Sequence, residues 1–135
     1  MNRFIGAWRL ASFEEETAAG EIVHPYGENP IGSLIYDSSG RMSVQIMRTD
    51  REAFPSTEWE TTPAEEIKEA VEGFTAFFGS FEVDGANKTV IHHVEGHVLP
   101  GSVGKTLRRE FEFKGDLLIL KPSQNRRVFW ERVTT

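Results

Sequence analysis

What most limits the fold of this chain is how often its strands are interrupted. From Ser80 onward, runs rich in β-branched and aromatic residues are cut by Gly85-Ala86-Asn87, Pro100-Gly101-Ser102, Gly115-Asp116 and the stretch from Pro122 to Asn125. Between the cuts lie Ser80 to Asp84, Thr89 to Leu99, Lys105 to Lys114, Leu117 to Leu120 and Arg127 to Val133. Runs of this length bounded by Gly, Pro, Asn and Ser read as strands, and connections this short pair each one antiparallel with the next. Their regular spacing favours an up-and-down barrel over a Greek-key sandwich.

The first half adds more strands and one helix. Ile5 to Glu16 reads as a long strand with Trp8, Leu10 and Ser12 on one face and Arg9, Ala11 and Phe13 on the other. Ile22 to His24 is a short edge strand, because Pro25 and Pro30 exclude a central one. Gly32 to Asp37 and Arg41 to Met47 form a hairpin around Ser38-Ser39-Gly40, with Met42, Val44 and Ile46 as an apolar face. A long loop from Arg48 to Thr61 holds Phe54, Pro55 and Trp59, and a loop of that length tends to border a functional opening. Its carboxylates Asp50, Glu52, Glu58 and Glu60 read as solvated surface groups. Thr62 as N-cap, Pro63 and Glu65 then open a helix. Its apolar stripe is Ile67, Ala70, Val71, Phe74, Phe77 and Phe78, and Gly79 ends it.

The expected architecture is all-β: an up-and-down antiparallel barrel of about eight to ten strands, with one amphipathic helix over a mouth or wall. No linker or repeat divides residues 1–135, so they read as one domain. The net charge of −6 speaks against a nucleic-acid or anionic-membrane surface. The sequence contains no cysteine, which excludes a disulfide framework and thiolate chemistry. No apolar run reaches the length of a signal or membrane segment, so the expected location is cytoplasmic.

Several segments together resemble a known family. They are Gly6-Ala7-Trp8-Arg9-Leu10, His24-Pro25-x-Gly27, Gly32-x-Leu34-Ile35-Tyr36 and Gly40-x-Met42-Ser43-Val44-Gln45. Arg48-x-Asp50-Arg51, Val90-x-His92-His93-Val94-Glu95, Leu107-Arg108-Arg109-x-Phe111 and Trp130-Glu131-Arg132 complete the set. The combination is similar to the small lipocalin-like domain family, a branch of the calycin barrels, and spans nearly the whole chain. The resemblance implies a calycin-type barrel with a helix across one opening. It also implies that Trp8, after Gly6, plugs the closed end while Arg132 lies across it. For function it implies less: some relatives sit among pathways for secondary metabolites, and related barrels catalyse cyclisations or isomerisations.

The chemistry-bearing residues concentrate on two strands. Three of the four histidines lie between His92 and His97. Strict alternation puts His93, Glu95 and His97 on one face and Val90, His92, Val94 and Val98 on the other. Either His92 is the lone polar group on an apolar lumen face, or the polar set lines the cavity. The candidates for acid-base work are His92, His93 and Glu95, since imidazole titrates near neutrality. A metal on His93, Glu95 and His97 is not expected, because a polar outer face shows the same spacing, and no cofactor is implied. On the next strand Leu107, Arg109, Phe111 and Phe113 share a face, so Arg109 is a charge on an apolar stripe. Such a guanidinium needs a partner: a protein carboxylate or carbonyl, or a ligand with an acidic or carbonyl group. Tyr36, Ser43 and Gln45 could add hydrogen bonds to the lumen.

The function this supports is binding of a small, largely apolar ligand with a polar or acidic group. The expected contacts are Tyr36, Val44, His92, Val94, Arg109, Phe111 and Phe74. Two rivals stand beside it. One is a cyclase or isomerase using a lumen histidine and Arg109 as oxyanion stabiliser. The other is a structural or partner-binding barrel with a filled lumen. The sequence leaves the oligomeric state open.

Overall fold

Local chemistry fixes the hairpin first. The carboxylate of Asp37 accepts the backbone N–H of Ser39 at 2.9 Å and of Arg41 at 3.2 Å, closing the turn between two strands. In the computed structural model, which describes residues 3–51 and 55–134, these strands are β3 (Ile31–Tyr36) and β4 (Arg41–Met47). The others are β1 (Gly6–Glu16), β2 (Ile22–Val23), β5 (Phe74–Asp84) and β6 (Thr89–His97). They are followed by β7 (Thr106–Lys114), β8 (Leu117–Ser123) and β9 (Arg126–Arg132). All pairings are antiparallel, and β1 pairs with both β3 and β9. That second pairing closes β1 and β3 to β9 into a barrel, leaving the short β2 against the far end of β1. Closure removes the exposed edges of the ring.

The helix is shorter than its pattern predicts. α1 runs only over Ala64–Glu72, with Pro63 at its N-cap. Thr62 does not cap it: the Thr62 hydroxyl donates instead to the Glu58 carbonyl at 2.7 Å. From Phe74 onward the chain is strand, paired with β4 from Met47↔Phe74 to Arg41↔Ser80. Phe74, Phe77 and Phe78 fit helical spacing, but an aromatic and β-branched run following Gly73 suits a sheet equally well. The free edge of β4 decides between them, because its apolar face needs a neighbour. Phe77 thus points into the barrel, half-buried, while Phe78 faces out at 50% exposure. Phe74 also faces out, under the Arg51 guanidinium at 5.4 Å. Among the described residues no helix is long and apolar enough to cross a membrane.

One end of the barrel is filled by aromatic side chains. Phe4 packs edge-on against Tyr36, Phe111 and Phe113 at 5.5, 4.8 and 5.0 Å between ring centres. Tyr36 lies 4.6 Å from Phe81. Beneath them Trp8 is 2% exposed, and its indole N–H donates to the Phe4 carbonyl at 2.9 Å. The Arg132 guanidinium lies 4.2 Å above the Trp8 ring and donates to the carbonyls of Ile5, at 2.9 Å, and Arg3. A Cβ at Gly6 would stand 3.0 Å from that guanidinium, and the positive φ of +135° there also favours glycine.

Among the described residues three strand pairings carry a register shift. One is β8 on β9, between Leu120 and Ser123, and the other two break the alternation that the sequence implies on β1 and β6. Between Leu10 and Ser12 the register of β1 on β9 slips, leaving Ala11 as the extra residue. Phe13 therefore turns inward and is buried with Trp8 and Leu10, instead of sharing the outer face with Arg9. On β6, Gly96 pairs with Phe78 and Val94 with Gly79, so Glu95 is the extra residue. A Cβ on Gly79 would collide with the His93 carbonyl, which is why a glycine sits in mid-strand there.

Candidate functional site

The half of the barrel not filled by aromatics contains a cavity of about 290 Å³. Its deep wall is apolar: Leu34, Val44, Ile46, Leu107, Leu120, Val128 and Trp130. Phe13, Tyr26 and Phe77 add aromatic surface. Thr75, Ser102, Lys105, Pro122 and Arg126, near strand ends and in turns, form the rim. The polar residues on the wall are His92, His97 and Arg109. A larger hollow of about 720 Å³ on the outside of β7, β8 and β9 is open and carries both charge signs, including the Lys121–Glu110 pair at 3.6 Å. Among the described residues the lumen cavity carries basic side chains and no acidic one, and its largely apolar lining gives it the character of a ligand site.

His92 is 3% exposed and bonded through Nε2 to the Tyr36 hydroxyl at 2.7 Å, while its Nδ1 has no partner among the described residues. Burial, with the nearby Arg109 charge, lowers its pKa to about 3. Burial pushes the Tyr36 phenol up, and Arg109 opposes that only in part. Both groups are neutral at pH 7. Arg109 is half-buried, and its hydrogen bond runs to the Pro122 carbonyl at 3.3 Å. Among the described residues no carboxylate pairs with it. The carbonyl takes one of the five guanidinium protons, leaving a charge largely unanswered on an apolar wall.

The bulge at Glu95 divides the histidine segment. His93 is on the outside, 3.0 Å from Glu82 and 3.4 Å from the Thr106 hydroxyl. Glu95 is also outside, paired with Arg41 at 2.5 Å. His97 pairs with Phe77 and joins the cavity wall, so neither reading of the alternation holds for the whole segment. Among the described residues no group of three His, Asp or Glu is placed to hold a metal.

Of the other expected contacts, Val44 lines the cavity, and Tyr36 reaches it through His92. Val94 is buried on the inner face but does not line the space. Phe111 points inward lower down, into the aromatic plug against Phe4. Phe74 is outside for the reason given above. Ser43 and Gln45 lie on the outer face of β4, alternating with the buried Met42, Val44 and Ile46. The described loop residues 48–51 and 55–61 do not line the cavity, nor does α1. Arg48 and Asp50 pair with one another at 2.9 Å. Glu52 and Phe54 lie outside the described residues. His97, which the alternation left open, lines the space, and so do Phe13, Lys105 and Arg126, for which the sequence carries no such signal.

A closed antiparallel barrel with one plugged end and one hollow end is the architecture of a lipocalin-type barrel. The family model described as "Lipocalin-like domain" matches residues 5–133, and the chain belongs to that family. It is 32% identical over 85 residues to the 4'-hydroxy-3'-methoxypropiophenone carrier protein ppsC of Aspergillus oryzae, covering 58% of this chain and 77% of that one. The crystal structure of a lipocalin-like protein from Bacteroides uniformis superposes with a TM-score of 0.53 over 97% of this chain and 99% of the other. At 14% identity that likeness concerns the fold alone.

Proposed function

We propose that this barrel, acting as one domain, binds a small, largely apolar molecule in its open half and holds the molecule's polar or acidic group at Arg109. The observation that carries this is Arg109 itself: a guanidinium on a cavity wall with a lone carbonyl for company. A ligand oxygen would supply the missing partner in the fork geometry arginine offers. Val44 and His92 lie on the same wall and serve as further contacts, with Tyr36 steadying His92. A cavity of about 290 Å³ suits a ligand at the small end of the usual range. The carrier role named for the Aspergillus relative supports the same reading.

The isomerase reading is less well served. His92, with its pKa lowered to about 3, is not an imidazolium near neutrality, so it cannot serve as a general acid there and is a weak base. The test is a titration of intrinsic tryptophan fluorescence, since Trp130 lines the cavity. With a panel of aromatic and fatty acids, wild type should show saturable quenching. Arg109→Leu should lose binding of the acids by about tenfold or more, as expected for a charged hydrogen bond. Equal binding by the two proteins would refute the role of Arg109.

A further inference from the structure

The whole chain carries 21 acidic and 15 basic residues, yet among the described residues its cavity is lined by Lys105, Arg109 and Arg126 and by no carboxylate. Arg126 is answered by Glu15 at 2.7 Å. Among the described residues Lys105 and Arg109 have no such answer. Basic side chains gathered on one low-dielectric lining focus a positive local field inside the cavity, which favours anions there although the protein as a whole is net-negative.

His97 adds direction to that field. The backbone N–H of Leu99 donates to His97 Nδ1 at 2.9 Å. A neutral imidazole carries one N–H, so this bond leaves the proton on Nε2 and makes that atom a donor. The imidazole lies flat against Phe77, 5.4 Å between ring centres and 4° from parallel. Phe77 in turn neighbours His92 at 5.9 Å. His97 and Phe77 thus present a flat aromatic surface edged by donors, with His92 tilted 55° from Phe77, and offset stacking on it rewards a planar ring. The opposite end of the barrel is occupied by Phe4, Tyr36 and Phe81, which takes the depth a long acyl chain would need.

We infer that His97 is a ligand-recognition residue, and that with Lys105 and Arg109 it makes the cavity selective for a flat aromatic anion, an aryl carboxylate or an acidic phenol in its ionised form. This rests on the lumen-binding reading above and narrows it to a ligand class. The Glu95 bulge is what brings His97 to the wall, so the selectivity depends on a register shift as well as on side chains.

Four probes test it by fluorescence titration: 2-naphthoate, its neutral analogue 2-naphthamide, 4-nitrophenolate at alkaline pH, and dodecanoate. The expected result is that wild type binds naphthoate, nitrophenolate or both at least about tenfold more tightly than naphthamide or dodecanoate. Which anion binds better distinguishes carboxylate from phenolate recognition. His97→Phe keeps a flat ring on Phe77 but removes the donor. It should weaken the anions about tenfold and leave naphthamide within about twofold. His97→Gln keeps a donor without the ring; it should retain the preference for anions while weakening all aromatic probes alike, and it serves if the Phe variant fails to fold. Unchanged anion binding in a folded His97→Phe, or loss of the preference in His97→Gln, would overturn the role of His97. Naphthamide or dodecanoate binding as well as naphthoate would overturn the ligand class while leaving lumen binding intact. Binding of none of the four by a folded wild-type protein would overturn both.

Discussion

At the scale of single residues, a buried His92 and an uncompensated Arg109 make opposite demands. Arg109 has little to lose when it is removed. Leucine occupies part of the same space without a charge, and the side chain strands no carboxylate, so Arg109→Leu should change stability by no more than about 1 kcal/mol. Urea denaturation monitored alongside ligand titration separates this from loss of binding. His92 should make the fold sensitive to acid. Folded His92 stays neutral down to about pH 3, whereas the unfolded imidazole takes up its proton near pH 6.5. In that window the unfolded state binds more protons, so stability is complete above pH 6.5 and falls as the pH drops. The slope for one such group is roughly 1.4 kcal/mol per pH unit. Carboxylates contribute to acid sensitivity in wild type and variant alike, so the comparison with His92→Leu isolates the histidine. The variant should show a visibly flatter decline between pH 6 and pH 4, and parallel curves would contradict the assignment.

At the scale of elements, the two bulges have the largest consequences. Each inserts one residue, Ala11 or Glu95, and each turns an aromatic or imidazole ring toward the cavity: Phe13 on β1, His97 on β6. The β6 bulge depends on Gly79, where the partner strand's backbone passes too close for any side chain. Gly79→Ala should therefore cost about 3 kcal/mol or more, the upper end of overpacking penalties, because the obstacle is backbone. The midpoint of chemical denaturation reads this directly. A variant as stable as wild type would mean that β5 and β6 do not approach as described. The α1–β5 boundary teaches a related lesson. Gly73 ends the helix, and pairing with β4 claims the phenylalanines that helical spacing alone would place on α1.

Over the whole molecule, barrel closure and the closed end are one device. Arg132 on β9 covers Trp8 on β1, and both strands belong to the seam that shuts the ring. Trp8→Ala removes a buried indole and the surface on which Arg132 rests. It should cost about 3–5 kcal/mol, as large aromatic deletions do. An unchanged melting temperature would remove this plug from any account of stability. With the plug end filled and the other end hollow, the molecule separates what holds it together from what it can hold.

Much of this was legible in the chain. Turn residues cut it into strands, and the short connections left antiparallel neighbours as the natural pairing. Eight segments taken together, from Gly6-Ala7-Trp8-Arg9-Leu10 to Trp130-Glu131-Arg132, marked the family. The inward position of Arg109 followed from alternation with Leu107, Phe111 and Phe113, because a strand exposes every second residue to the same side, whereas alternation left open which face of the His92 strand turns inward. Alternation also marks where the sequence ran out. A bulge adds one residue without any distinctive composition, and every side chain beyond it changes face. His97 and Phe13 were assigned to the wrong side, or left open, for that reason alone. Similarly, Phe74, Phe77 and Phe78 satisfy two periodicities at once. The choice between them belongs to β4, whose unpaired edge lies some thirty residues earlier in the chain and whose hydrogen bonds exist only once the sheet has formed.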